Sequence, residues 1–160
     1  MILNNHKLNL NQFPENYYLI AIHSDLDEFR LAFFLNKKLN IGLKRKNNDI
    51  YFSEQNANYS SYEFLDDAKY LKWIFFSNKS LVSEKSPDQD LSLFGKGSTA
   101  LNEMNLLSQQ KSVDYFLIIE NIANKTYIDK VLKKISEISG VITSFLSDNK
   151  LENKENLIFS

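Results

Sequence analysis

Two apolar runs of similar shape lie near the two ends of the chain. Residues 17–23 (YYLIAIH) and 113–120 (VDYFLIIE) are almost continuously hydrophobic, the pattern of strands covered on both faces. Each is followed by helical spacing. After the first, Ser24 stops the strand and is expected to cap a helix. Its side-chain oxygen would accept from the Asp27 N–H while Asp27 reaches back, as in a capping box. Asp25, Asp27 and Glu28 bring negative charge to the helix start and Lys37 and Lys38 positive charge to its end, the signs the helix dipole favours. Phe29, Ala32, Phe33 and Leu39 mark the expected buried face. Leu31, Phe34 and Leu35 are apolar too, so this helix is expected to be covered on more than one side. The second helix, 125–139, has a cleaner period: Tyr127 or Ile128, then Val131, Leu132, Ile135 and Ile138. Lys125, Lys130, Lys133 and Lys134 cover its wet side. Gly140 is a good stop, and 141–146 reads as the last strand.

The middle of the chain alternates in shorter pieces. Gly42 breaks after the first helix, 43–46 starts a strand, and Asn47-Asn48-Asp49 predicts a tight turn. Residues 50–53, 62–65 and 70–77 read as strands, with Asp66-Asp67 as a turn. In the last of these, Leu71, Trp73 and Phe75 alternate with Lys72, Ile74 and Phe76. One face is therefore core and the other partly apolar. Residues 78–112 are the least regular. A short helix within 99–107 and a mobile segment near 80–98 are expected, because long structureless loops are uncommon inside a compact domain. Residues 6–10 predict an edge strand and 11–16, with Pro14, a turn. Residues 147–156 are expected to fray, and Leu157-Ile158-Phe159 to dock.

Two strand–helix–strand units with strands between them predict one α+β domain over 1–160. Its helices would lie on one face of a mixed or antiparallel sheet. A ferredoxin-like plan with extra strands is the first choice. The other sheet face would then be exposed. Together with the apolar surplus on the first helix and on 70–77, that predicts a homodimer.

Composition narrows the partners. The chain has 160 residues, a formal net charge of -1 and a pI near 6.1, against the basic stripe of nucleic-acid binders. Arg30 and Arg45 are its only arginines, thin equipment for bidentate phosphate recognition. The basic cluster Lys44, Arg45 and Lys46 reads as a solvated strand end. With no cysteine, disulfides, thiol catalysis and cysteine-based zinc sites are excluded. The start, MILNNHKLNLNQF, lacks the pattern of a signal peptide, and no apolar stretch approaches the ~18 residues of a membrane span. A cytoplasmic protein is expected, with no nucleic-acid, membrane, metal or cofactor partner.

The run Val113-Asp114-Tyr115-Phe116-Leu117-Ile118-Ile119, after Leu107-Ser108-Gln109-Gln110-Lys111-Ser112, resembles the signature of the IPExxVDY family of bacterial proteins. Other stretches resemble that family in the same order: Leu19-Ile20-Ala21-Ile22-His23-Ser24, the helix from Arg30-Leu31-Ala32 to Leu35-Asn36, Leu43-Lys44-Arg45-Lys46, and Trp73-Ile74-Phe75-Phe76-Ser77-Asn78-Lys79. The similarity spans roughly residues 6–120. The family's Ile-Pro-Glu is replaced here by Ser108-Gln109-Gln110. The resemblance implies a small soluble protein of unknown function and supplies no catalytic residues.

The candidate chemistry is sparse. His23, Ser24 and Asp25 bring a histidine, a hydroxyl and a carboxylate to one helix start, but neighbours in sequence rarely converge as a triad. A helix cap beside a strand-end histidine is the preferred reading. Gly95-Lys96-Gly97-Ser98-Thr99 fails the phosphate-loop spacing, because Asp90 stands where the first glycine belongs and Gly97 follows the lysine. Metal binding lacks ligands: His6 and His23 lie on different elements, and Asp66, Asp67, Asp88 and Asp90 read as turn acids. Asp114 is expected to bond backbone at a strand start, and Tyr115 to pack its ring with a wet hydroxyl. Asn36, if buried, must be hydrogen-bonded. Trp73 and Tyr70 read as core before ligand platform. Catalytic residues are assigned to none of these. His23, Ser24, Asp25, Asn36, Trp73, Asp114 and Tyr115 remain the ligand or interface candidates.

The expected function is therefore a non-catalytic binding or interaction module with a protein or small-molecule partner. The alternatives are a small-ligand regulatory domain of ferredoxin-like type, with its ligand at a dimer seam, and a small enzyme using His23 with Asp25 or a distant acid such as Glu120.

Overall fold

The computed structural model describes residues 17–52, 55–83 and 101–147. The expected edge strand at 6–10, the turn at 11–16, His6, Asp88, Asp90, the glycine-rich stretch 95–99 and the tail 148–160 lie outside them. In chain order the elements are β1 (Tyr17–Ser24), α1 (Glu28–Leu39), β2 (Lys44–Arg45), β3 (Ile50–Phe52), β4 (Ala57–Tyr59), β5 (Ser61–Asp66), β6 (Leu71–Ser77), β7 (Lys79–Ser83), β8 (Leu101–Asn105), β9 (Tyr115–Glu120), α2 (Lys125–Ser136) and β10 (Val141–Leu146). The fold is α+β. Six strands form one sheet in the order β10-β1-β9-β6-β5-β2, and every ladder in it is antiparallel. β3–β4 and β7–β8 form two further two-stranded sheets.

The three central strands carry apolar residues on both faces because both faces are covered. On one side Ile20, Ile22, Trp73, Phe75, Leu117 and Ile119 meet Leu31, Ala32 and Leu35 of α1 and Ile128, Val131 and Ile135 of α2. On the other side Leu19, Ala21, Ile74, Phe76, Phe116 and Ile118 are capped by Ile50, Phe52, Ala57 and Tyr59 of the β3–β4 hairpin and by Leu106 and Val113. The expectation of an exposed second sheet face is therefore corrected. Ile74 and Phe76 are buried within a single chain and leave no surplus there for a partner. Trp73 is a core residue with no exposed surface, whereas Tyr70 sits outward on a turn at φ 55 and is exposed.

The helix signals hold with shifts in detail. Asp27 is the N-cap of α1, accepting from the Arg30 N–H at 2.9 Å, rather than Ser24. The Ser24 hydroxyl donates to the Gly140 carbonyl at 2.7 Å and accepts from the Leu26 N–H at 3.1 Å. Three residues of loop therefore separate β1 from α1. Asn40, in the left-handed region at φ 54, ends the helix, its N–H returning to the Asn36 carbonyl. Asn124 caps α2 through the Thr126 N–H at 2.9 Å. α2 ends at Ser136 with Glu137 as its C-cap, short of the expected 139, and Gly140 lies in the turn beyond at φ 97, where a Cβ would come within 2.6 Å of Leu26. Only glycine tolerates both the conformation and the approach.

The buried face of α1 differs from the expected one. Leu31, Ala32 and Leu35 face the sheet, while Phe29 and Phe33 point outward, 65% and 60% exposed. Apolar residues surround so much of this helix that periodicity alone leaves its rotation open. The segment expected to hold a short helix within 99–107 instead forms β8, paired with β7 from Lys79↔Asn105 to Ser83↔Leu101. The start of the region expected to be mobile is therefore strand, and the rest of it, 84–98, lies outside the described residues.

Candidate functional site

The C-terminal ends of β1 and β6 and the N-terminal end of β9 meet at one end of the central strands, because antiparallel pairing sets Ile22 and Ser77 both opposite Tyr115. His23, Asp114 and Lys79 converge there. The His23 Nδ1 bonds the Asp114 Oδ2. An ionised carboxylate only accepts, so Nδ1–H is the donor and the lone pair of neutral imidazole lies on Nε2. The Ser24 N–H donates to the same oxygen at 2.9 Å, and the Lys79 ammonium reaches the Asp114 Oδ1 at 2.8 Å. The lysine also lies 3.7 Å from Glu103 on β8. A register shift between His23 and Ser24 in the β1–β10 ladder lies beside this cluster, a place where such irregularities commonly re-aim a strand.

The charges are mutually matched. Burial pushes the Asp114 carboxyl up, but the bonds from Lys79, Ser24 and His23 outweigh it and hold the group below its ordinary value. Hydrogen bonding to Asp114 raises the Lys79 ammonium in turn. Because the folded Asp114 titrates below the unfolded group, its stabilising contribution is complete above the ordinary carboxylate range of about pH 4. It is lost as pH falls through the folded value. Asp114→Asn is expected to flatten the acid limb of a stability-versus-pH curve measured by urea unfolding. An unchanged acid limb would refute this account of the cluster.

Two neighbours complete this end. Asn78 is fully buried. Its amide Nδ2 donates to the Gln110 carbonyl at 2.9 Å and the Val113 carbonyl at 2.8 Å, and its Oδ1 accepts from the Leu107 N–H at 2.9 Å. Its backbone N–H donates to the Asp114 carbonyl and its own carbonyl accepts from the Leu106 N–H, both at 2.8 Å. The Tyr115 hydroxyl donates to the Leu26 carbonyl at 2.8 Å, a protein partner in place of the expected water. Burial, with the nearby acids Glu28, Asp114 and Asp27, pushes this phenol up to about 12, so it remains a donor.

Of the sequence candidates, His23, Ser24, Asp114 and Tyr115 come together. Asp25 is exposed, and its N–H donates to the Gly140 carbonyl at 3.0 Å. The carboxylate that holds His23 is thus Asp114, 91 residues away in sequence, rather than Asp25. Glu120 is at the far end of β9, opposite Tyr17, about 20 Å from His23 along the strand, so it is no partner either. Asn36 is spent on structure: it donates to the Leu43 carbonyl at 3.0 Å and accepts from the Leu43 N–H at 2.8 Å, fixing the entry into β2. Asn78 and Lys79 were missed as site residues. Their available signal was a polar pair directly after a buried strand.

A His–carboxylate pair is the first half of an acid–base relay. The adjacent hydroxyl, Ser24, is already committed to Gly140 and Leu26. What the cluster does in the fold is tie β1, β7 and β9 together. Among the described residues no group of three or more His, Asp or Glu side chains is placed to hold a metal ion, and no helix is long and apolar enough to cross a membrane.

The outward side of α1 offers the other candidate. Leu26, Phe29, Arg30, Phe33 and Phe34, with Ser139 after α2, line an open groove of about 510 Å³. Phe29 meets the Tyr62 ring edge-on at 6.2 Å, and Phe33 meets Phe34 in the same way at 5.5 Å, so the aromatic surface is braced from beneath. Two residues of the basic cluster are paired within the fold, Arg45 with Asp49 and over the Tyr62 ring and Lys46 with Glu63 at 3.7 Å, while Lys44 is exposed. Comparison with family models, curated proteins and solved structures gave no match to this chain.

Proposed function

We propose that this chain is a non-catalytic interaction module of the bacterial cytoplasm, of the IPExxVDY type. The observation that carries the reading is the pair Phe29 and Phe33, one helical turn apart and mostly exposed beside a groove. Large aromatics left in water on a helix face are the composition of a binding surface. The polar cluster supports the same reading, because Asp114 is held by His23, Lys79 and the Ser24 N–H while the Ser24 hydroxyl is committed to Gly140 and Leu26. The order β10-β1-β9-β6, with helices following β1 and β9, supports a ferredoxin-like plan to which β2 and β5 are added. The family resemblance gains a physical meaning: its segments ending at Ser24 and Lys79 and its Val113-Asp114-Tyr115 meet at the end of the central strands where His23, Lys79 and Asp114 bond. On this reading the surviving motif is architectural.

A photo-crosslinking amino acid placed at Phe33 tests the module in its own cells. A discrete crosslinked protein band at position 33, absent when the same group replaces exposed Lys130 on α2, is the expected result. Crosslinking equal at the two positions, or none at 33, would overturn the reading.

A further inference from the structure

The partner chemistry is written along α1 itself. The helix runs from an acidic start, with Asp25 and Asp27 exposed and Glu28 in the first turn, through Phe29 and Phe33, to the basic Lys37 and Lys38 of its last turn. Positions 25, 29, 33 and 37 are spaced by four, so the three on the helix lie along one side. Asp25 precedes the helix at its acidic end. A two-fold axis between Phe29 and Phe33 would set each phenylalanine against the other one of a second copy. The same axis would bring the acidic end of each helix, where Asp25 stands in the preceding loop, beside the Lys37 end of the other, twice over. The helix dipoles would then lie antiparallel. Such self-complementarity is what a closed isologous interface requires.

We infer that the second copy of this chain is the occupant of the α1 face, in an antiparallel α1–α1 homodimer closed by Phe29–Phe33 contacts and two Asp25–Lys37 pairs. This rests on the interaction-module reading and names its partner. Of the two apolar surfaces from which the sequence predicts a homodimer, the β6 face is covered and the α1 face is left. A helix of 12 residues is about 18 Å long and covers less than the ~800 Å² per partner of a tight complex. Dimerisation is therefore expected in the micromolar range.

Sedimentation velocity of the purified full chain over about two decades of micromolar concentration tests it. The wild type is expected to shift from monomer to dimer, and Phe33→Glu to stay monomeric. Lys37→Asp alone, an exposed change that spares the fold, is expected to weaken dimerisation about tenfold by placing like charges together twice. Asp25→Lys with Lys37→Asp is expected to restore it. A wild type that stays monomeric, a dimer that survives Phe33→Glu, or a double exchange no better than Lys37→Asp would overturn the inference. If the chain is monomeric while position 33 still crosslinks to a different protein, the homodimer falls and the interaction module stands.

Discussion

Asn78→Ala is expected to destabilise the protein by about 3–5 kcal/mol, since each buried group stranded without a partner costs about 1–3 kcal/mol. The substitution leaves the Gln110 and Val113 carbonyls and the Leu107 N–H without the amide that now satisfies all three. These groups belong to the segment between β8 and β9 that lies over Phe116 and Ile118, so its anchoring and the packing beneath it are lost together. Thermal unfolding is expected about 10 °C lower for a chain of this size. Asn78→Asp keeps an acceptor for Leu107 but aims a carboxylate at two carbonyl oxygens. Its loss is expected to be larger near neutral pH than in acid, where protonation returns one donor. A melting temperature for Asn78→Ala within about 2 °C of wild type would show that the amide is not the anchor described.

Phe116→Ala is expected to cost about 3–5 kcal/mol, the range for removing a large aromatic from a close-packed core. Phe116 is fully buried and stacks on Phe76 with ring centroids 5.5 Å apart, beneath residues of the β3–β4 hairpin. The collapse of so large a void is resisted by β1 and β6 on either side. Phe33→Ser is the matched control: it removes an aromatic ring from the outer side of α1 and is expected to change stability by less than about 1 kcal/mol. Chemical denaturation of both variants separates the two kinds of phenylalanine. If Phe116→Ala proved as mild as Phe33→Ser, the β3–β4 hairpin would not cover the sheet in solution.

Several elements were legible because their signals are local. The apolar runs of β1 and β9 announce central strands, and the 3.6-residue period of α2 announces both the helix and its buried Ile128, Val131 and Ile135. Gly140 as a turn residue before β10 follows from the conformational freedom it alone supplies, but it does not stop α2, which ends earlier, at Ser136. The rotation of α1 was not legible, since seven of its twelve residues are apolar and several phases bury a similar number. β8 was missed because Leu101 and Met104 are spaced as on a helix, and only pairing with β7 decides for a strand. The candidate site was half legible: His23, Ser24, Asp114 and Tyr115 stood out singly, but nothing local joins residues 23, 79 and 114.

The sequence by itself determined the α+β class, the two strand–helix units and the places where the chain turns, because period, caps and turn residues act over a few positions. Only the tertiary structure decided which faces are covered and which polar groups meet. Register brings Ile22 and Ser77 to Tyr115, and with them His23, Asp114 and Lys79 into one cluster. The β3–β4 hairpin closes the sheet face that sequence left open, while Phe29 and Phe33, two of the three phenylalanines on α1, stay outside. Hydrophobicity states that a residue gains from burial, but the space left by the rest of the fold determines which residues obtain it.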